Sequence, residues 1–196
     1  PKKLIEDFIT DLTKIRTDPN LKKNHAFGHR LAGQIQAEYL ISPEIMLKWK
    51  QNYFDHIIKH YVLSHYKNCN IKTILVTSAW HNIQKQGDFN PCHTHTRYTH
   101  LQNPHISTVG YLKLPKKMID YKHSKEHHNI NGFIEFTEGT EDIFTNANYL
   151  IPPVLADFYV FPATLRHCVY PFFSESETEE RISFSFNARI IFNEEV

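Results

Sequence analysis

The stretch Arg181–Phe192, RISFSFNARIIF, decides the fold, because it alternates along its first half and is rich in aromatic and β-branched side chains. Such a pattern predicts a β-strand, in which successive side chains point to opposite faces. Arg181 and Ser183 then share one face, and the other face takes Ile182, Phe184 and Phe186. The strand has one apolar face and one face that carries an arginine followed by a serine.

Similar short runs fill the chain after Asn70, and turn residues bound each of them. They are IKTILVTSAW (71–80), HISTVGYLKL (105–114), GFIEF (132–136) and DFYVF (157–161). The first part of the chain has a different pattern. RLAGQIQAEYLI (30–41) alternates and predicts one strand, and TDPNLKKNHAFGH (17–29) predicts a loop from its Pro, Asn and Gly.

Two helices are predicted before Asn70 from apolar residues spaced three and four apart. The first covers PKKLIEDFITDLTKI (1–15). The second and longest covers residues 42–66, with Ser42 as N-cap and Pro43 in the first helical position. Its predicted apolar ridge consists of Met46, Trp49, Tyr53, Ile57 and Tyr61.

Helices followed by a run of strands favour a mainly β fold, a sandwich or barrel with N-terminal helices against it. The 196 residues predict a single domain over 1–196, with 1–70 as a helical buttress plus one edge strand and 71–196 as the β core. The composition, 41% hydrophobic with 6 glycines, is that of a globular protein.

Charge and cysteine content limit the function classes. A net charge of +1 lacks the basic bias of a nucleic-acid binder. No run reaches the ~20 apolar residues of a membrane span. Three cysteines without framework spacing indicate a reducing compartment, so we expect a cytoplasmic protein. Cys92 and Cys168 are interpreted as small apolar fillers.

The segment GDFNPCHTHTRY (87–98) holds the candidate metal site. His93 and His95 are two residues apart, so on a strand they point the same way, roughly 7 Å apart. A single H-x-H is weak evidence in a chain with 14 histidines. The turn before the pair and His167, which follows a buried strand and the turn at Pro162, strengthen the interpretation.

Arg181 and Ser183 form a candidate anion site. An arginine among inward-facing aromatic neighbours is costly unless an anion meets it. Its guanidinium and the serine hydroxyl could together hold a carboxylate. The alternative is an internal salt bridge from Arg181 to a glutamate of the acidic loop SESETEE (174–180).

This ordered set resembles the iron(II)- and 2-oxoglutarate-dependent oxygenases. It is most similar to the prolyl-4-hydroxylase-like branch, and within it to a family of short oxygenase-like proteins common in bacteriophages and marine bacteria. The resemblance runs from about residue 74 to residue 192. It is carried by SAWHNI (78–83), GDFNPCHTH (87–95), STVGYLKLP (107–115), GFIEF (132–136), LADFYVFPATLRHCVYP (155–171) and RISFSFN (181–187).

The resemblance implies a double-stranded β-helix, a jelly roll of two sheets with Fe(II) at one open end. It implies a hydroxylase that uses 2-oxoglutarate and dioxygen, acts on an unidentified substrate, and releases succinate and CO2. His93 matches the first iron-binding histidine and His167 the distal one. The R-x-S match makes Arg181 and Ser183 the holders of 2-oxoglutarate, with Tyr111 and Asn82 as further cosubstrate contacts.

One position departs from the family pattern, because His95 stands where the broader superfamily has aspartate. Three interpretations follow. The three histidines form a working triad, Asp88 supplies the missing carboxylate, or the iron site is altered and catalysis is lost. The first is favoured, because His95 occupies the ligand position directly.

Two other functions fit the same residues: a cupin-type dioxygenase that uses three histidines without 2-oxoglutarate, and a non-enzymatic jelly-roll protein of a phage, which would work in the host cytoplasm. The mouth of the pocket is predicted in Thr96–His105 and Lys116–Asn131. Arg97 and Tyr98 are candidates to flank a substrate. His123, His127 and His128 are interpreted as part of a surface loop. The oligomeric state is not predicted.

Overall fold

The computed structural model describes residues 1–35, 37–96, 103–119 and 130–193. Four α-helices lie in the first third of these residues, with a 3₁₀ turn at Gly28–Arg30 and a π-helical turn at Lys50–Phe54. The α-helices are α1 (Lys2–Thr17), α2 (Pro19–Asn24), α3 (Pro43–Trp49) and α4 (Asp55–His65). The strands are β1 (Ala37–Leu40), β2 (Ile71–Gln84), β3 (Asn90–His93), β4 (Ile106–Lys113), β5 (Ile134–Thr137), β6 (Asn148–Ile151), β7 (Phe158–Pro162), β8 (Arg166–Val169) and β9 (Arg181–Phe192).

Two antiparallel sheets form the body of the fold. The major sheet has the order β1-β2-β9-β4-β7, and the minor sheet has the order β3-β8-β5-β6. The predicted fold class, mainly β with N-terminal helices, is confirmed. All five runs predicted as strands after Asn70 are strands.

The N-terminal helices cover the apolar face of the major sheet. The ring of Phe184 on β9 lies 4.6 Å from that of Phe8 on α1, and Phe186 lies 4.8 Å from Phe54. All four rings are buried in the larger hydrophobic cluster. This face of β9 is therefore the apolar one that alternation predicted, and the opposite face of the strand is left for a polar site.

The long second helix is interrupted, and its predicted ridge is shifted beyond Trp49. The backbone N–H of Asp55 donates to the carbonyl of Lys50, which is the i→i+5 bond of a π turn. This turn advances the buried stripe by one residue. The buried positions are Phe54, Ile58 and Val62. The predicted Tyr53, Ile57 and Tyr61 are only partly buried, although Tyr53 and Tyr61 still pack against the same core.

Residues 17–41 also differ from the prediction. The expected loop contains α2, because the Asp18 carboxylate accepts bonds from the backbone N–H groups of Asn20 and Leu21 and Pro19 follows it. The expected strand over 30–41 is shortened to β1. Upstream of it, Gln34 pairs with Phe89 in an isolated bridge, so this segment crosses from the edge of the major sheet towards β3.

A cavity of about 640 Å³ lies between the two sheets. One cross-strand row of the major sheet contributes Glu38, Asn82, Ser183 and Tyr111, which are successive register partners on β1, β2, β9 and β4. The three histidines singled out in the sequence line the cavity as well. Across the described ranges, no helix is long and apolar enough to span a bilayer.

Candidate active site

The structure brings His93, His95 and His167 together. His93 on β3 and His167 on β8 are direct register partners, with ring centroids 4.3 Å apart. His95 lies two residues beyond the end of β3, where its backbone N–H donates to the carbonyl of Ala163 at 2.9 Å. One ligand nitrogen from each ring lies within 4.8 Å of the others.

Backbone carbonyls fix the tautomers of two of these rings. Nδ1 of His93 lies 2.6 Å from the carbonyl oxygen of Pro91, and Nδ1 of His167 lies 3.0 Å from that of Leu165. A carbonyl oxygen only accepts, so each Nδ1 carries the proton and donates it. Each neutral ring then has its Nε2 lone pair available. This is the usual arrangement for histidines that ligate a metal.

Burial keeps the three imidazoles uncharged at neutral pH. Burial, with the neighbouring rings, lowers the pKa of His95 to about 3 and that of His167 to about 4, and burial also lowers the pKa of His93. Nε2 of His95 lies 3.2 Å from Nε2 of His167. Uncharged nitrogens this close suit a shared cation, and imidazole ligands suit iron, zinc, copper and nickel. The residues present therefore fit a metal ion.

Asp88 does not join the three histidines. Its Oδ2 accepts a bond from the backbone N–H of Lys85 at 3.0 Å. Among the described residues, the group that could hold a metal consists of the three histidines alone. The structure gives no support to the hypothesis that Asp88 supplies a carboxylate.

Arg181 faces the cavity as a buried cation. It is only 1% exposed, and its Nε and Nη2 both donate to Oε1 of Gln84, while Nη1 donates to the carbonyl of Gly132 at 2.6 Å. Burial lowers the pKa of this guanidinium. The Gln84 amide and the Gly132 carbonyl are uncharged, so neither of them neutralises the guanidinium.

The alternative of a salt bridge from Arg181 to the acidic loop is wrong. Glu180 forms a bidentate pair with Arg16 on α1, with both N···O distances 2.9 Å. Glu175 pairs with Lys117. Within the described part of the chain, no carboxylate lies within ion-pair distance of Arg181. A buried guanidinium in this state is suited to bind an anion that enters the cavity.

The other predicted cosubstrate residues lie in the same cavity. Ser183 and Tyr111 are buried cross-strand partners on β9 and β4. Burial raises the pKa of Tyr111, so its hydroxyl stays protonated and can donate. Asn82 accepts a bond from Nε1 of Trp80 at 3.1 Å and donates to Oγ of Ser185 at 3.4 Å.

Glu38 and Gln84 are buried cavity residues that sequence reasoning missed. Gln84 is the register partner of Arg181 and orients its guanidinium. Both residues lie on strands with mixed polar and apolar positions, and only the pairing register shows which face they occupy. The candidates Arg97, Tyr98, His123, His127 and His128 lie outside the described residues.

The sequence matches one family model, described as "Putative 2OG-Fe(II) oxygenase", over residues 78–187. The match covers more than half of the chain and contains the three histidines, Arg181 and Ser183. A comparison with curated proteins finds no match.

Solved structures give the same fold at low identity. A prolyl-4-hydroxylase from Pseudomonas putida is similar at a TM-score of 0.59 and 15% identity, covering 96% of this chain and 87% of that one. A prolyl hydroxylase from Trichoplax adhaerens, in complex with a peptide fragment, is similar at a TM-score of 0.56 and 11% identity, covering 95% and 78%. HygX from Streptomyces hygroscopicus, with nickel and 2-oxoglutarate bound, is similar at a TM-score of 0.54 and 11% identity, covering 95% of this chain and 78% of that one.

Proposed function

Because the chain belongs to the 2OG-Fe(II) oxygenase family, we propose that the cavity between its sheets is the active site of a hydroxylase. In this reaction 2-oxoglutarate, dioxygen and a C–H bond of the substrate give succinate, CO2 and a C–OH group. One observation carries the proposal: three uncharged imidazoles and a buried guanidinium without a carboxylate partner line the same cavity.

His93, His95 and His167 would hold Fe(II). When bound, the iron would activate dioxygen, which is the oxidant of both the keto acid and the substrate. The protein fixes the rings of His93 and His167 through backbone carbonyls and stacks the indole of Trp80 against His95 at 5.9 Å. Three neutral ligands leave the full charge of the ion in place, which favours binding of an anionic cosubstrate.

Arg181 would bind the far carboxylate of 2-oxoglutarate. Gln84 and Gly132 hold its guanidinium in place before the anion arrives, so little rotamer entropy is lost on binding. Ser183 follows Arg181 by two residues on β9, and Tyr111 on β4 is the register partner of Ser183. The hydroxyls of both would donate to the same carboxylate. Asn82 lies on β2, between Glu38 of β1 and Ser183 of β9, and hydrogen bonds with Trp80 and Ser185 hold its amide.

An anaerobic titration with Fe(II) and 2-oxoglutarate tests the proposal. The wild-type protein should develop the visible charge-transfer band of a keto acid chelated to Fe(II), and admission of air should release succinate. His93→Ala should lose the band, whereas His56→Ala, which removes an exposed histidine on α4, should keep it. A wild-type protein that binds Fe(II) but shows neither the band nor succinate contradicts a 2-oxoglutarate-dependent reaction. It would leave the cupin-type reaction as the alternative.

A further inference from the structure

Glu38 is a buried acid on the wall of the cavity that the proposed reaction does not use. It lies on β1, the edge strand of the major sheet, and its residue surface is only 4% exposed. Its register partner is Asn82, which in turn pairs with Ser183. Glu38 is therefore at the β1 end of the row whose other members would hold the cosubstrate.

The carboxyl group of Glu38 is not satisfied by its neighbours. Oε2 is buried and has no hydrogen-bond partner among the described residues. The facing amide of Asn82 is already bonded to Trp80 and Ser185. A buried carboxyl oxygen without a hydrogen-bond partner is costly, so its survival in a cavity wall indicates a ligand.

A second acceptor lies beside the first. Oδ1 of Asn90 is also buried and, within the described ranges, has no hydrogen-bond partner. A Cβ atom at Gly33 would lie 2.3 Å from this oxygen and 3.2 Å from Oε1 of Glu38, so one glycine packs against both. A larger residue at position 33 would collide with the Asn90 side chain, so glycine lets the loop pack closely over both groups. Glu38 and Asn90 thus lie next to each other in the wall of the cavity.

Among the described residues, no cation forms an ion pair with Glu38. Burial, and the nearby carboxylate of Asp88, raise the pKa of Glu38 to about 8, so the group is protonated at neutral pH without a ligand. Arg30, from the 3₁₀ turn, lines the same cavity but is exposed, and β2 presents the uncharged Asn82. No ion pair involving Glu38 occurs in the described part of the structure.

We propose that Glu38 and Asn90 bind a cationic nitrogen of the primary substrate, which is therefore a compound or peptide side chain bearing an amine or a guanidine. This inference rests on the proposed oxygenase function, because it assigns the substrate of that cavity. The cavity wall then carries two groups of opposite preference: Arg181 selects the diacid, and Glu38 selects the base. On binding, Glu38 gives its proton to the solvent and pairs as a carboxylate with the ligand's N–H groups.

Calorimetric titration of the metal-free protein with small probes tests the inference without any turnover. Nα-acetyl-lysine amide and Nα-acetyl-arginine amide are the cationic probes, and Nα-acetyl-norleucine amide is their uncharged counterpart. We expect one cationic probe to bind at least about tenfold more tightly than norleucine amide. At pH 7 about one proton should be released per bound probe, which titrations in buffers of different ionisation enthalpy would measure. A lysine- or arginine-containing pentapeptide that binds more tightly than the amides would identify the source as a peptide; weaker binding would identify a small molecule.

Glu38→Gln should abolish both the tenfold preference and the proton release, because the amide is nearly isosteric but cannot ionise. Glu44→Gln, which makes the same change at an exposed position of α3, should alter neither. Equal affinity for the charged and uncharged probes, or a preference that survives Glu38→Gln, would overturn the inference. Failure of the Fe(II) titration would instead count against the proposed reaction, since the probes are measured without metal.

Discussion

His93 and His167 face each other across β3 and β8 and are held in the same way, each Nδ1 donating to the carbonyl two residues earlier in the chain. The two strands therefore orient both imidazole rings through main-chain hydrogen bonds, with the ring centroids 4.3 Å apart. Since the ligand geometry exists before a metal arrives, metal binding should stabilise the native state directly.

Metal-dependent stabilisation is the first prediction. Saturating Mn(II) or Ni(II), used as redox-stable stand-ins for Fe(II), should raise the melting temperature of the wild-type protein by several degrees. At a free metal concentration of about 100 times Kd the gain is about 2.7 kcal/mol. The shift should vanish in His93→Ala and His167→Ala and persist in His56→Ala. An unchanged shift in the two cavity variants would show that the metal binds elsewhere.

Arg181→Lys should weaken 2-oxoglutarate binding much more than it lowers turnover. Lysine keeps the charge but loses the planar fork that Gln84 orients. Charged hydrogen bonds are worth roughly 1.5–3 kcal/mol, so KM for 2-oxoglutarate should rise about 10- to 100-fold while kcat falls less. Arg16→Lys, which loosens the surface pair with Glu180, is the control and should leave KM unchanged. An unaltered KM in Arg181→Lys would remove this arginine from the cosubstrate site.

Glu38→Gln should stabilise the ligand-free protein at neutral and alkaline pH. The folded state keeps the Glu38 proton up to about pH 8, whereas the unfolded chain releases it near the ordinary pKa of 4.5. The free energy of unfolding of the wild-type protein therefore falls as the pH rises between these two values. The variant should gain roughly 2–4 kcal/mol in urea unfolding at pH 8 and little at pH 4.5. A gain that does not depend on pH would mean that ionisation is not the cause.

Asp11→Asn should destabilise the junction between α1 and the major sheet. Oδ2 of Asp11 accepts from the buried Nε2 of His81 at 3.1 Å and from the backbone N–H of Ser42 at 3.2 Å. These bonds lower the pKa of Asp11, so its contribution is full above about pH 4 and disappears as the pH falls through the lowered value. Urea unfolding at pH 7 should show a loss of about 1.5–3 kcal/mol. Asp142→Asn, at an exposed turn, should cost less.

Much of the fold could be predicted from the sequence, because alternation and helical spacing are local signals. Residues Arg181 to Phe186 show this clearly: their alternation correctly separated the face packed against the helices from the face on the cavity. The π turn at Lys50–Phe54 could not be foreseen in this way. It depends on packing of α3 and α4 against the sheet, which no periodic pattern records.

Part of the candidate site could also be predicted, because some of its residues are close together in the sequence. His93 and His95 are close in sequence, His167 follows a strand and a turn, and the alternation of the last strand singled out Arg181; the resemblance then gave these residues their roles. Glu38 was missed because only the pairing of β1 with β2 places it opposite Asn82 and inside the cavity, and the sequence does not show that pairing. A polar residue on a short edge strand ordinarily faces solvent, so composition alone gave no signal.

Because of the π turn at Lys50–Phe54, the buried positions of α3 and α4 do not follow one regular helical spacing. Trp49 and Phe54 are both buried in the core although they are five positions apart, a spacing that would place them on different faces of a regular helix. Removing one residue between Lys50 and Tyr53 would restore regular winding and put Phe54 four positions after Trp49, which keeps both side chains on the same helix face. The π turn thus absorbs one extra residue locally, so a chain shortened by one residue here should bury the same side chains from Phe54 onward.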